Sequence, residues 1–440
     1  MKRASIFSTV SNAKRYRTKT VERVTQPSFS DLPKEILLNI LLRLSVKRIF
    51  VFKCVCKTWC DVVSDPQFAK LHFEQAEVYP LIRTSSLFCS KMVYLVQPDK
   101  DDFELKLGMC DHIFFRSRCV CTVQVKIDTK FEILEKQGLF KYDKYSQYGA
   151  INSCNGLLCL PNQCDKWLCP IVCNPITGEF IDLPLANKIR LSSRSICYGF
   201  GFSPATNQYK VIRMFRQGSH VSNKAEVHIL GTDTWKEIGF FNQSTPKTFT
   251  TYLNGFLYWS SHLQPLSVFS FDIEKERFGS VPSPVVNQHY EYDSVGVLGG
   301  ELCITAVLEC GAIHVWTMKD NSTDNGWSKV YSFYFKYSNL IPHNSSFQPI
   351  KYLNDGALLM FYASTGVLVY MDPKKRRFRY LKVGKMSKVE AIAYIPSFVS
   401  LKHVLSGQNV KVHNVKSRFP NLKLPGVDIV EQRCHPYLYY

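Results

Sequence analysis

An aromatic residue followed three positions later by an aliphatic one recurs along most of this chain: Phe131/Leu134, Phe180/Leu183, Trp235/Ile238, Phe278/Val281, Trp327/Val330 and Phe378/Leu381. The steps between successive aromatics are 49, 55, 43, 49 and 51 residues. Two further marks travel with them. A glycine opens an apolar run in Asn155-Gly156-Leu157-Leu158, Asn254-Gly255-Phe256-Leu257, Gly299-Gly300-Glu301-Leu302 and Asp355-Gly356-Ala357-Leu358. A strand ending in a turn precedes the aromatic in Val172–Gly178, Ser270–Lys275 and Leu368–Pro373. Short runs rich in Val, Ile, Phe and Tyr, punctuated by turn formers, read as β-strands. A sheet of three or four such strands cannot bury both of its faces alone. Stacking the units around an axis buries them, and closing the ring protects their edges. Six marks predict a six-bladed propeller, with Val389–Ile395 as the strand that closes it. The alternative left by the spacing is a pair of two-sheet β-sandwiches with a coincidental period.

Ahead of the repeat, Ser30–Ala76 has helical periodicity. Leu32-Pro33 opens it, and Pro suits a first turn because its missing N–H costs nothing there. Ile36, Leu37, Ile40, Leu41 and Leu44 share one face. Ser45 can cap a second helix carrying Val46, Ile49, Phe50 and Phe52. Val55, Trp59, Val62 and Val63 continue a third, and Asp65-Pro66 starts a fourth with Phe68 and Leu71 inward. A bundle this small has little core of its own. Ile36, Leu37, Leu38, Ile40, Leu41 and Leu42 give more apolar surface than it can hide, which marks a partner surface.

The residues Leu32-Pro33, Glu35-Ile36-Leu37, Ile40-Leu41, Arg43-Leu44 and Lys53-Cys54-Val55-Cys56-Lys57-Thr58-Trp59 resemble, in order and spacing, the F-box of plant F-box proteins. The chain departs from that pattern at Ser45, where the family usually has Pro, and at Val51, where it often has Arg. The resemblance implies docking onto a Skp-type adaptor and, through it, a cullin. The adaptor-binding residues it implies are Leu32, Pro33, Ile36, Leu37, Ile40, Leu41, Leu44, Val46, Val55 and Trp59. Farther on, Ser153–Leu158, Cys173-Asn174-Pro175, Tyr198–Pro204 with Asn207–Val211, Leu253–Trp259, Phe271-Asp272 and Tyr394–Ser397 resemble the F-box-associated domain of the same plant proteins. Only Gly299-Gly300 carries the paired glycine of a strict kelch repeat. That family implies substrate recognition for ubiquitination and leaves the target unnamed.

The expected class is therefore α+β multidomain: a small N-terminal three- to four-helix F-box followed by an all-β, six-bladed propeller. The expected boundaries are a disordered basic arm over 1–27, the helical domain over 28–78, the β domain over 79–400 and a basic tail over 401–440. The β domain is expected to fold alone.

The net charge of +19 is concentrated. Residues 1–24 hold seven Lys/Arg and one Glu, and residues 374–423 hold thirteen Lys/Arg and one Glu. Such segments can attract nucleic acid, anionic membrane or an acidic protein, or be solvated edges. Pro373–Arg379 resembles a nuclear import signal, or is a basic hairpin turn of the sixth blade. The first residues lack the apolar core of a signal peptide, and no apolar run reaches membrane-spanning length. An intracellular protein of nucleus or cytoplasm, with no membrane partner, is expected. Its sixteen cysteines are then reduced thiols rather than disulfides.

No enzyme is expected. There is no Walker loop, no Gly-x-Gly-x-x-Gly, no His-Glu-x-x-His and no Gly-x-Ser-x-Gly elbow. Cys154, Cys159, Cys164, Cys169 and Cys173 form no Cys-x-x-Cys pair and have no nearby His, so neither structural zinc nor another cofactor is expected. The leading function is the substrate-recognition subunit of an SCF-type ubiquitin ligase, in which other subunits do the chemistry and this chain supplies proximity. Its target would meet loops on one propeller face, with Arg216–Lys224, Val286–Asp293 and Lys319–Gly326 as candidates. Two alternatives stand beside it. One is an adaptor-linked scaffold that does not degrade its partner. The other is a nucleic-acid-binding propeller using the basic edge at Lys374–Lys388, where aromatic residues for base stacking are sparse.

Overall fold

Leu157–Leu160, Glu301–Leu308, Ala312–Met318 and Leu358–Tyr362 are apolar almost throughout, and nearly every residue in them is buried. Continuous burial of a strand requires cover on both faces. Stacked sheets provide it. The structure is a computed structural model that describes residues 32–85, 92–98, 120–125, 152–160, 170–185, 196–217, 222–241, 251–260, 266–284, 290–309, 311–319, 326–334, 346–353, 356–363, 367–374, 377–382, 388–406 and 408–414. Four helices come first: α1 (Lys34–Leu42), α2 (Val46–Phe52), α3 (Lys57–Ser64) and α4 (Pro66–Gln75). Among the described residues, antiparallel strands follow in six sheets, five of four strands and one of five.

Blades 2 to 6 are meanders whose strands lie in chain order. Blade 2 holds Asn152–Cys154, Leu157–Leu160, Ile171–Asn174 and Glu179–Asp182. Blade 3 runs from Ile196–Ser203 to Lys236–Phe241, and blade 4 from Thr251–Leu253 to Arg277–Val281. Blade 5 runs from Tyr290–Leu298 to Trp327–Tyr334, and blade 6 from Phe347–Tyr352 to Arg377–Lys382. Blade 1 is composite. Tyr79–Ser85, Met92–Pro98 and Val120–Val125 are joined by Lys388–Tyr394, which pairs with Tyr79–Ser85 from Tyr79↔Tyr394 to Ser85↔Lys388. The expected closing strand thus does close the ring, and it binds the two ends of the β domain together.

Each neighbouring pair of blades shares apolar side chains. Leu157 and Phe200, Met214 and Leu257, Val268 and Ile304, Cys303 and Met360, and Ile350 and Ile82 belong to successive shared clusters. Leu81 and Leu158 complete the circle. Hydrogen bonds tie the first strands of adjacent blades as well. Asn152 donates to the Tyr198 carbonyl at 2.9 Å, Thr251 to Val295 at 2.9 Å and Ser294 to Phe347 at 2.7 Å.

The marks read from the sequence take definite places. Phe180, Phe278, Trp327 and Phe378 lie on fourth strands, and Trp235 immediately precedes one; Phe131 lies outside the described residues. The glycine marks lie between first and second strands. Asn155 and Gly156 have φ of 48° and 76°, and Asn254 and Gly255 have 48° and 85°. Two successive positive φ values are what a two-residue hairpin needs to match strand twist.

Successive connections of a meander leave at alternate ends of its sheet. First-to-second and third-to-fourth connections therefore share one face of the ring; second-to-third and blade-to-blade connections share the other. Of the three candidate loops, Arg216–Lys224 and Val286–Asp293 join strands at the second face. Lys319–Gly326, between Ala312–Met318 and Trp327–Tyr334, belongs to the first. Residues 218–221, 285–289 and 320–325 of these loops lie outside the described residues, and the strand ends that bear the three loops are not all on one face of the ring. Lys374 likewise lies in a third-to-fourth hairpin, where Asp372 opposes Arg377.

The chain beyond residue 400, expected as a basic tail, begins otherwise. Ser400 precedes the one-turn helix α5 (Leu401–Val404), and Leu401 and Leu405 are buried among side chains of blades 2 and 3. His413–Asn414 then pairs with Phe180 and Glu179 as the fifth strand of blade 2. Apolar spacing at 401, 404 and 405 in a basic context hides this packing. The expected arm over 1–27 and the rest of the tail lie outside the described residues.

Candidate adaptor-docking surface

α1 follows Pro33, whose carbonyl accepts the N–H groups of Ile36 and Leu37 at 3.1 Å. α4 is capped by Asp65, whose carboxylate accepts the Gln67 N–H at 2.9 Å, with Pro66 at the first helical position. Lys34 reaches the same carboxylate at 3.0 Å and ties the start of α1 to the α3–α4 junction. The Gln67 N–H, and then Lys34, hold the Asp65 carboxyl below its ordinary pKa. Ser45 occupies the N-cap position of α2 but makes no capping hydrogen bond with its side chain.

The ten residues implied for adaptor binding divide by environment. Leu37, Leu41, Val46 and Trp59 are buried inside the molecule. Leu32 and Leu44 are half-buried. Pro33, Ile36, Ile40 and Val55 face solvent, with Ile36 at 50% exposure, Ile40 at 40% and Val55 at 59%. Val55 lies in the turn before α3 rather than on that helix, because α3 begins at Lys57. A fourth strongly exposed aliphatic side chain, Val51 at 55%, is on α2, at a position where the sequence departs from the F-box pattern. Helical periodicity alone could have found it: Val51 falls opposite the buried pair Val46 and Ile49.

The buried face of the helices is covered partly by the ring. Leu37, Leu41, Ile49, Trp59 and Phe68 belong to one cluster with residues of blades 1 and 2 and with Phe398. His72 on α4 joins them. Its ring stands 4.9 Å from that of Phe398 at 87° and 5.8 Å from Phe68. Burial there pushes the imidazole pKa down to about 4. At the rim, Lys351 pairs with Glu77 at 3.2 Å and lies 5.2 Å over the Tyr79 ring. Burial, reinforced by Glu77, pushes the Tyr79 hydroxyl up to about 12.

Among the described residues, no three His, Cys, Asp or Glu side chains are placed to hold a metal ion. Cys154, Cys159 and Cys173 are buried in blade 2, and burial raises the thiols of Cys154 and Cys159 far above their ordinary value. They are packing residues there. No described helix is long and apolar enough to cross a membrane.

Comparison with known proteins agrees with this geometry. Residues 29–71 match the family model described as F-box domain, and residues 113–409 match that of the F-box associated beta propeller domain. An F-box/kelch-repeat protein of Arabidopsis thaliana is 25% identical over 399 residues, covering 86% of this chain and 99% of the relative. A putative F-box protein of the same plant is 24% identical over 368 residues, covering 81% of this chain and 86% of the relative. With both domains matched in order, the chain belongs to the plant F-box proteins that carry a C-terminal F-box-associated β-propeller domain.

Proposed function

We propose that this chain is the substrate-recognition subunit of an SCF-type E3 ubiquitin ligase. The F-box would dock a Skp-type adaptor, and through it a cullin; the ring would hold a target protein. One observation carries the reading: on a matched F-box, Ile36, Ile40, Val51 and Val55 stay exposed although Leu37, Leu41, Val46, Ile49 and Trp59 beside them are buried within the chain. A fully exposed aliphatic side chain gains about 1.5–3 kcal/mol when covered, and these four, roughly half exposed, would gain about half of that each. Leu37, Leu41, Val46 and Trp59 would serve docking by holding the helices in place. The target would engage the face carrying second-to-third and blade-to-blade connections, since helices and the segment after residue 394 occupy the other. Such a receptor does no chemistry itself; it brings target and ubiquitin donor together. It would work in the nucleus or cytoplasm, where adaptor and cullin are found.

The test is affinity purification from plant cells, comparing the wild type with the double variant Ile36→Asp, Ile40→Asp. Adaptor and cullin should accompany the wild type and be lost from the variant. A ring-bound protein should persist with both and accumulate when the proteasome is inhibited. Its failure to accumulate would favour a non-degradative scaffold, and absence of adaptor from the wild type would overturn the reading.

A further inference from the structure

Only Ala76, Glu77 and Val78 separate α4 from the first strand of blade 1. A short joint still permits rotation unless something else holds the helices. Phe398 does so. It comes from beyond the ring-closing strand, more than three hundred residues from α2 in sequence. Its ring centroid stands 5.7 Å from Phe50 on α2, and 5.6 Å from Phe68 and 4.9 Å from His72 on α4.

The segment bearing Phe398 is itself anchored on blade 2. Asn174 donates through its side-chain amide to the carbonyls of Ser397 at 2.9 Å and Val399 at 2.6 Å, one on each side of Phe398. The Asn174 side-chain oxygen accepts the Ile176 N–H at 2.8 Å, so the amide cannot turn away without leaving its own hairpin unsatisfied. Glu179 accepts the Ser400 hydroxyl at 3.0 Å and the Leu401 N–H at 2.6 Å. Asn174 is fully buried and Glu179 nearly so. Gly156 leaves the room: a Cβ there would stand 2.1 Å from the Cβ of Ser397. Buried polar groups that lose such partners are costly, so the segment has one position.

We propose that Ser397–Leu401 is a tether that fixes the helical domain on the ring. Phe398 is its positioning residue, and the exposed face of the helices and the six blades move as one rigid body. The helical domain and ring then open together, not as independent units. If the chain is a ligase receptor, the tether also sets the distance between adaptor and target; that consequence rests on the function proposed above, whereas the rigidity does not.

The experiment uses the full chain without any partner. Backbone hydrogen exchange should show the amides of α1 and α4 protected to within about tenfold of those of Leu157–Leu160. In Phe398→Ala the helices should exchange at least about 100-fold faster, while the blade strands keep their protection. Single-molecule energy transfer between dyes placed by unnatural amino acids at Asp61 and Lys275 should give one narrow distance distribution. In Phe398→Ala it should broaden under conditions where both parts remain folded. Phe398→Leu carries the same test should the alanine variant not fold, with acceleration confined to the helices as the expected result. Helices that exchange freely in the wild type would overturn the tether. So would a distance distribution indifferent to residue 398, or acceleration spread equally over all blades. None of these outcomes depends on adaptor binding.

Discussion

The hydroxyl of Tyr394 donates to the carbonyl oxygen of Gly156 at 2.8 Å, joining the last strand of the ring to the first hairpin of blade 2. Tyr394 is buried, and burial holds its phenol protonated far beyond its ordinary range. The same hairpin meets Ser397, so ring closure and the anchoring of the helices pass through one turn.

Tyr394→Phe removes this bond and leaves the Gly156 carbonyl without that donor. The expected loss is about 1–3 kcal/mol of stability. Urea denaturation followed by fluorescence measures it, and an unchanged midpoint would remove the bond from the account of closure.

Gly156 and Gly300 separate two effects of adding a methyl group. Both have positive φ, 76° and 84°. A Cβ at Gly156 collides with Ser397, whereas one at Gly300 meets nothing within 4 Å. Gly300→Ala should cost about 1–2 kcal/mol, from backbone strain alone. Gly156→Ala adds an overpacking cost of about 1–3 kcal/mol. Thermal melting of the two variants side by side should show Gly156→Ala as clearly the less stable.

Ile36 and Leu37 are neighbours in sequence with opposite fates. Leu37→Ala should destabilise the chain by roughly 2–5 kcal/mol through the cavity it leaves. Ile36→Ala should lie within about 0.5 kcal/mol of the wild type and yet weaken adaptor binding in a titration of purified proteins. Equal affinities for wild type and Ile36→Ala would remove Ile36 from the docking surface.

His72 makes stability depend on pH. Its imidazole titrates at about 4 in the folded chain against an ordinary value of 6.5. The unfolded chain therefore binds a proton that the folded chain refuses between those values. Stability contributed by neutral His72 is complete above about pH 6.5, falls as the pH is lowered toward 4, and is level below that. The full span is about 3 kcal/mol. His72→Phe should flatten this portion of a stability–pH curve; an identical slope in the variant would assign it to other groups.

Arg213 and Glu226 form a buried ion pair on adjacent strands of blade 3, and the guanidinium lies 5.5 Å over the Trp235 ring. Removing one partner strands the other charge. Glu226→Ala should cost about 3–5 kcal/mol, and the double change Arg213→Met with Glu226→Leu far less. A double-mutant cycle by calorimetry checks the difference.

The sequence by itself determined the repeat, the turns and the closing strand. These follow from rules acting over a few residues: Asn-Gly supplies the positive φ of a tight hairpin, and an apolar run flanked by turns must be buried on both faces. It also determined the helical domain, through Pro33, Asp65-Pro66 and the spacing of Leu37, Leu41, Trp59 and Phe68. What it could not determine was which apolar side chains remain for a partner. Ile36 and Leu37 differ by one step of about 100° around a helix, and both look equally apolar. The tertiary structure decided between them, because the ring and Phe398, hundreds of residues away, cover one side of the bundle. The same holds for the loops. Arg216–Lys224 and Lys319–Gly326 are both polar runs between apolar ones, and only the count of strands within each blade sends their ends to opposite faces. Burial of Leu401 and Leu405 has the same cause: one helical turn in a basic stretch is too short to carry a periodic signal, and its place is fixed by the hydrogen bonds that Asn174 and Glu179 offer from blade 2.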